Sequence, residues 1–308
     1  MIKTIKVTNS SGESLVMDLR DPYKTGFLVS SVTGIGPVKA EINTTDVGTL
    51  NGSRLSSTRI PERNIIIKII FMEGSAGKIE DLRQKSYKYF QTTKKVTLEI
   101  ETDNRKCRVS GYVESNEPDI FSKQESAQIS ILCTDPAMYS LDDGVVNTVF
   151  SGLESKVYFD LYGKSMLEIQ NGNFEFGSIE YKNVDKIRYD GDIDTGIVMY
   201  IHAIGDVGDI TIYNLETRKS FSISSKKLKE MSGTGISKGD DIIISTIKGK
   251  KSITLIRNGS FYNIINCVDK NSEWFQLHKG DNQFGYKVTE GATNIQFRIE
   301  NDILYEGV

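Results

Sequence analysis

The clearest pattern in the chain is a two-residue alternation between small or apolar side chains and polar ones. It runs through residues 107–113 and returns in residues 127–133, where Ala127, Ile129, Ile131 and Cys133 fall on one face. Such alternation predicts two strands that each bury one face. Residues 116–119 predict the turn between them, and Pro136 ends the second strand because proline cannot donate to a sheet ladder.

Similar patterns predict further elements in the first 100 or so residues. Residues 2–19 form a predicted hairpin, and residues 65–71, nearly all β-branched, a central strand covered on both sides. One helix is predicted at about residues 76–91, with Ser75 as its N-cap. Its predicted inward side chains are Ile79, Leu82, Ser86, Tyr89 and Phe90.

Between these strands, residues 34–64 are poor in long apolar runs and rich in Gly, Ser and Thr. We predict an extended loop or arm, with at most one strand at about residues 38–42. Loops this long are uncommon in compact domains unless they bind something. Two interpretations remain open, a surface loop and an arm that grips a neighbouring subunit.

The second half of the chain carries many short alternating runs, from Tyr158 to Glu300, separated by Gly, Asn and Asp turns. This spacing predicts a sandwich or jelly roll, with at most a helical turn at residues 226–231. The predicted fold class is therefore mainly β: an N-terminal β-sandwich with one helix in residues 1–138, and a C-terminal β-sandwich in residues 139–308.

The composition of the chain argues against several classes of function. A net charge of −3 gives no general attraction to nucleic acid or to an anionic membrane. The three cysteines, Cys107, Cys133 and Cys267, lie far apart, which predicts reduced, packed thiols rather than disulfides or a zinc site. No apolar run suits a signal peptide or a membrane span, so we expect cytoplasmic synthesis and no membrane anchor.

One acidic stretch begins like a calcium loop, with Asp190, Asp192 and Asp194 at alternate positions. Thr195 and Ile201 occupy the sixth and twelfth positions, where an EF-hand needs glycine and glutamate, so an EF-hand is excluded. A calcium site of another kind and a tight turn remain as alternatives.

Other candidate sites carry weaker signals. Gly233-Thr234-Gly235 followed by Gly239 weakly resembles a phosphate loop, but no following helix is predicted to hold the phosphate, which favours a turn. His202 and His278 have no nucleophile or metal-ligand spacing nearby, so we predict no enzyme and no cofactor. Trp274 suits either a sugar-stacking platform or a strand in the core.

The order of motifs around the first strand pair resembles one protein family. A strand ending in Gly111-Tyr112-Val113-Glu114 is followed by a proline turn and then by Gln128-Ile129-Ser130-Ile131-Leu132-Cys133, with Asp135-Pro136 closing it. Upstream, residues 59–71 resemble the same family, and so do residues 192–196, 277–282 and 304–308 in the second half. These segments resemble the distal tail proteins of long-tailed bacteriophages.

The resemblance implies a structural protein of the virion tail. The first domain is expected to form a ring, commonly of six subunits, that joins the tail tube to the tip. The second, galectin-like domain is expected to face outward and carry receptor-binding proteins. The implied partners are other copies of this chain, the tail tube protein and the tail-tip or hub protein, with DNA passing only transiently through the bore.

Basic side chains on the arm and the helix are predicted to contribute to the subunit interface. They are Arg54, Arg59, Arg63, Lys85 and Lys88. Two alternative functions remain open, a baseplate component of a contractile tail or tail-like bacteriocin, and a carbohydrate-binding surface module.

Overall fold

The computed structural model describes residues 1–308 except 49–50, 75, 142–144, 151–152, 155–177 and 180–183. The chain divides into two compact units. Unit 1 contains Met1–Gly144 together with Ile303–Val308, and unit 2 contains Val145–Asp302. We call Ile303–Val308 the return segment, because the chain comes back to unit 1 there after completing unit 2.

Unit 1 is built around one antiparallel sheet with the strand order β2-β1-β7-β8-β9-β6-β3. The two end strands, β2 and β3, approach each other, so the sheet curls towards closure. Its strands are β1 (Ile2–Thr8), β2 (Ser14–Asp18), β3 (Phe27–Thr33), β6 (Arg63–Phe71), β7 (Lys95–Thr102), β8 (Lys106–Asp119), β9 (Ser126–Cys133), β10 (Met138–Ser140) and β25 (Leu304–Tyr305). β10 pairs with both β8 and β25, which joins the return segment to this sheet.

Alternation along the strands decides which side chains form the core of unit 1. Ile65, Ile67 and Ile69 of β6 are fully buried, while Lys68 between them is exposed. On β9 the alternate residues Ile129, Ile131 and Cys133 are fully buried. The predicted strands at residues 65–71 and 127–133 are therefore present, and all three cysteines of the chain are buried thiols.

The turn predicted at residues 116–119 is wrong. β8 continues through Pro118, which lies opposite Ala127 of β9, and the chain reverses between Asp119 and Ser126. Proline is tolerated here because β7 pairs with β8 only as far as Tyr112. Beyond that point β8 is an edge strand, and an edge strand leaves one row of backbone groups outside the ladder.

Two helices belong to unit 1, α1 (Pro22–Thr25) and α2 (Ile79–Tyr89). α2 is shorter than the predicted helix and begins after Lys78, whose side chain makes no capping hydrogen bond. Ser75, the predicted N-cap, lies outside the described residues. Leu82 and Ser86 of the predicted inward stripe are buried, as is Phe90 just after the helix.

Unit 2 contains two larger antiparallel sheets, in the orders β11-β24-β16-β19-β20-β21 and β14-β23-β17-β18. Buried faces of both sheets meet, as shown by the stacked rings of Tyr286 and Phe297, 6.0 Å apart between centroids. The strands are β11 (Val145–Phe150), β14 (Val184–Tyr189), β16 (Val198–Ala203), β17 (Ile210–Asn214), β18 (Lys219–Ile223), β19 (Asp241–Ser245), β20 (Ser252–Arg257), β21 (Ser260–Asn263), β23 (Gly280–Val288) and β24 (Ile295–Asp302). The described residues of the unit also form two short pairs: β12 (Leu153–Glu154) with β13 (Ser178–Ile179), and β15 (Thr195–Gly196) with β22 (Gln276–Leu277).

The mainly β fold class predicted from the sequence is confirmed. Unit 2 also contains α3 (Ser225–Ser232), a full short helix where the sequence predicts only a turn. Ser224 caps it by accepting from the Lys227 amide, and Gly233 ends it in the left-handed conformation. The runs predicted between residues 158 and 176 lie outside the described residues. No helix in the described parts of the chain is long and apolar enough to cross a membrane.

Candidate assembly surface

The arm predicted in residues 34–64 is a β-hairpin. β4 (Glu41–Asp46) pairs with β5 (Ser53–Arg59), so the arm has two strands where the sequence predicts at most one. Every residue of both strands is exposed. We call Glu41–Arg59 the arm hairpin.

Its register gives the arm hairpin two unlike faces. Ile42 lies opposite Thr58, and Thr44 lies opposite Leu55, and residues paired in this way point to the same side. One face therefore carries both large apolar side chains, with Ile42 63% and Leu55 58% exposed. The other face is polar and consists of Glu41, Asn43, Thr45, Arg54, Ser57 and Arg59.

The pairing is interrupted once. Asn43 pairs with Ser57, whereas the next residue, Thr44, pairs with Leu55, which leaves Ser56 as an extra residue in β5. This is a β-bulge, which locally increases the twist of the strand that contains it.

Nothing in the described part of the chain covers the arm hairpin. A two-stranded hairpin without a packed face is marginal in water, because its pairing must offset the backbone entropy with no hydrophobic burial. The apolar face is therefore a part of unit 1 that a neighbour would stabilise.

A second open feature lies where β8 becomes an edge strand. Beyond Val113, whose backbone still bonds to Thr93 and Lys94, β8 pairs as far as Asp119 only with β9 among the described residues. The turn that follows exposes Ile120 by 44% and Phe121 by 95%. An unpaired edge next to an exposed aromatic ring is a template for another chain.

The five predicted interface residues have different environments. Arg54 and Arg59 lie on the polar face of the arm hairpin, where Arg59 is 3.8 Å from Glu41. Lys85 and Lys88 lie on the exposed side of α2, and the Nζ atom of Lys88 is 2.7 Å from a Glu13 carboxylate oxygen. That hydrogen bond raises the pKa of Lys88 and, as its largest cause, lowers the pKa of Glu13.

Arg63 must be removed from the predicted interface. It is only 2% exposed, and its guanidinium donates to backbone carbonyl oxygens within unit 1. The sequence places Arg63 in a polar stretch beside a proline, which favours exposure, but the long-range partners that bury it leave no local signal.

The candidate calcium ligands are engaged elsewhere. Asp190 pairs with Arg188 at 3.1 Å, Asp192 with Lys279 at 3.0 Å and Asp194 with His278 at 2.8 Å. Each carboxylate thus points to a different side chain. Within the described residues there is no group of three or more His, Cys, Asp or Glu that suits a metal ion.

The glycine-rich stretch at residues 233–235 is held by an arginine. Arg257 donates to the Gly235 carbonyl and to Thr234 Oγ1, each at 2.6 Å, and is paired with the buried carboxylate of Asp240, also at 2.6 Å. Desolvation opposes ionisation of Asp240, but its hydrogen bonds to Arg257 and Ser237 prevail, so its pKa is lowered. The stretch is a structural turn after α3.

Trp274 is not an open platform. One side of its ring packs edge-on against Phe221, 5.2 Å between centroids, and Lys251 Nζ lies 5.4 Å from the centroid. Trp274 lies outside any strand and is partly buried. These contacts occupy the ring that a sugar would need for stacking.

Comparison with known families agrees with this architecture. Residues 23–180, just over half of the chain, match the phage tail protein RIFT-related domain, and residues 190–300 match the C-terminal domain of the siphovirus-type tail component. The chain belongs to the phage tail protein family defined by the RIFT-related domain. The resemblance to phage distal tail proteins is therefore confirmed, and the chain is a structural component of a phage tail.

A solved structure has the same fold. The SPP1 Dit protein, described as a paradigm of the hub adsorption apparatus in phages that infect Gram-positive bacteria, has a TM-score of 0.60 at 13% identity, covering 98% of this chain and 100% of that one. Two structures of the phage P2 baseplate in its activated conformation are also similar. The calcium form has a TM-score of 0.44 (14% identity, 98% of each chain) and the strontium form 0.43 (14%, 97% of each). No curated protein sequence matches the chain.

Proposed function

We propose that this tail component assembles with copies of itself into a closed ring, of six subunits, that joins the tail tube to the tail tip. The arm hairpin supplies the main contact between neighbours, and the proposal depends on its exposed apolar face. The proposed role is geometric: the ring scaffolds the hub and receptor-binding proteins, and DNA crosses its bore only in transit.

The shape of the contact follows from the arrangement of unit 1. The arm hairpin of one subunit lies on the surface of the next, and each subunit both gives and receives an arm. Contacts of this head-to-tail kind generate rings when the rotation closes. Ile42 and Leu55 are buried in the contact, while Arg54 and Arg59 lie at its polar rim with Lys85 and Lys88 of α2 as further candidates.

The proposal assigns the two halves different roles. Unit 1 forms the ring, and unit 2 faces outward and carries receptor-binding proteins. The protein is made in the host cytoplasm and then incorporated into the virion tail. The family membership supports a structural role, and no chemical step is assigned to any residue.

Native mass spectrometry of the purified chain tests the ring. We expect a discrete ring mass for the unmodified protein and its loss in Leu55→Glu, because a charge buried in an apolar contact has no partner. Asn43→Glu is the matched control: it places the same charge on the opposite, polar face and is expected to keep the ring. A chain that stays monomeric at high concentration, and is absent as a ring from particles imaged by electron microscopy, contradicts the proposal.

A further inference from the structure

The base of the arm hairpin is held by one buried cation. Arg63 Nη1 donates to the Gly34 and Gly36 carbonyl oxygens, both at 2.7 Å, and Nε donates to Pro136 at 2.8 Å. Nη2 donates to the Glu306 carbonyl at 2.6 Å. We call Gly34–Gly36 together with Arg63 the arm root.

These bonds join three stretches that are far apart in the chain. All four acceptors are backbone carbonyls, so the positive charge is met by peptide dipoles. Burial lowers the pKa of Arg63, which reflects the cost of holding a guanidinium away from water. A buried N–H that loses its acceptor is strongly unfavourable, so withdrawing the Glu306 carbonyl weakens the whole cluster.

The return segment contacts the arm root independently of Arg63. The Val308 amide donates to the Ile35 carbonyl at 3.1 Å. Gly307 lies so close that a Cβ atom there would be 2.7 Å from the Ile35 oxygen and 2.9 Å from Gly36 Cα. Arg105 fixes the other side of the segment by donating to the Gly307 carbonyl at 3.1 Å and stacking 4.3 Å from the Tyr305 ring centroid.

The order of these segments along the chain decides when their contacts can form. Gly34, Arg63 and Pro136 all precede unit 2, whereas Glu306, Gly307 and Val308 follow it. During synthesis the arm root therefore lacks one hydrogen-bond acceptor for Arg63, and its backbone partner for Ile35, until all of unit 2 has been made.

We infer that the return segment is an assembly checkpoint: it fixes the arm root, so that the arm hairpin is presented to a neighbouring subunit only after unit 2 is complete. The fixing of the root stands on the contacts above, and the link to assembly rests on the proposed ring. Chains interrupted within unit 2 would carry a loose arm and would be kept out of the ring.

The test uses the full-length chain and hydrogen exchange measured by mass spectrometry. Arg63→Met removes the cation, and Gly307→Ala leaves Arg63 in place but forces the return segment away from the Ile35 backbone. In both variants we expect the amides of residues 63–66, which pair with β9, to exchange at least tenfold faster, with little change in β1, β7 and the first half of β8. Gly36→Ala is the control for Gly307→Ala, because a Cβ at Gly36 meets nothing within 4 Å.

A second set of variants separates local loosening of the arm root from general destabilisation of the protein. Arg257→Met removes a partly buried, ion-paired arginine of unit 2 and is expected to leave exchange at the arm root unchanged. A chain lacking Ile303–Val308 should show the loose root, and a synthetic peptide of that sequence, added in trans, should restore slow exchange. Unchanged root exchange in both Arg63→Met and Gly307→Ala overturns the inference.

Ring formation is then measured for the same variants by native mass spectrometry. We expect ring loss wherever the root exchanges fast, and retention in Gly36→Ala. Fast root exchange with an intact ring overturns the checkpoint, although the root contacts stand. If the unmodified chain itself forms no ring, the proposed function fails, and the exchange data still decide whether the return segment fixes the root.

Discussion

The arm hairpin and the β6–β9 pair are both antiparallel strand pairs of unit 1, but their side chains have opposite environments. Ile67 of β6 is fully buried, whereas Ile42 of the arm hairpin is 63% exposed. The backbone pairing is of the same kind in both. The difference shows that pairing alone makes a strand, and that burial decides whether its side chains stabilise the subunit or remain available to a partner.

Truncating one isoleucine in each region should give the largest difference in stability between the arm hairpin and the β6–β9 pair. Ile67→Ala is expected to lower the free energy of unfolding of unit 1 by about 2–5 kcal/mol, because it leaves a cavity in a packed core. Ile42→Ala should change it by less than about 0.5 kcal/mol, since nothing packs on that side chain in the free subunit. Differential scanning calorimetry of the monomeric chain measures both, and similar losses would contradict the comparison.

Gly34 lies at the junction of the two regions. Its φ is +78°, and a Cβ there would lie 1.9 Å from the Asn64 carbonyl oxygen. Gly34→Ala should therefore cost more than about 2 kcal/mol, because the left-handed conformation alone costs roughly 1–2 kcal/mol for an L-residue. Gly36→Ala, two residues away, is the control and should be nearly silent in the same calorimetric experiment.

Alkaline pH should destabilise the β6–β9 pair and leave the arm hairpin unaffected. Burial raises the pKa of Cys133 on β9 from 9.0 to about 11, and Arg63 opposes that shift only in part. The fold favours the neutral thiol, so this contribution is fully present below pH 9 and is lost as the pH rises towards 11. The loss should be about 3 kcal/mol. Cys133→Ala should flatten this part of the pH dependence in urea denaturation curves, and an unchanged slope would contradict it.

The smallest effect is expected on the polar face of the arm hairpin. Arg59 is 66% exposed and 3.8 Å from Glu41, so Arg59→Ala should change subunit stability by less than about 1 kcal/mol. Its effect on ring formation should be weaker than that of Leu55→Glu and should fade in high salt. Titrating the ring against sodium chloride measures this, and a salt-independent loss would place Arg59 in the centre of the contact instead.

The sequence predicts the covered strands well because alternation records their burial. It predicts the arm hairpin poorly for the same reason: with no buried face, β4 and β5 contain mostly Ser, Thr, Asn and charged residues, and only Ile42 and Leu55 mark the apolar side. The turn error at Pro118 has a related cause. Whether a proline interrupts a ladder depends on which neighbour the strand has at that residue, and that neighbour is set by the tertiary fold.

Arg63 shows most clearly that a local sequence pattern does not predict burial by distant partners. Its Glu306 partner is 243 positions away and acts through a backbone carbonyl, so no side-chain motif announces it. The family resemblance, by contrast, depends on short motifs around residues 107–139, and these motifs indicate a phage tail component without any knowledge of contacts.

The extra residue at Ser56 has one more consequence. Within the described chain each arm strand has a single neighbour, so a straight hairpin would offer two outer margins on which further hairpins could stack without limit. The bulge at Ser56 bends the outer edge of β5. The backbone groups along that edge would therefore not align with those of a stacked copy over its whole length. We therefore expect the bulge to disfavour open-ended stacking of arm hairpins.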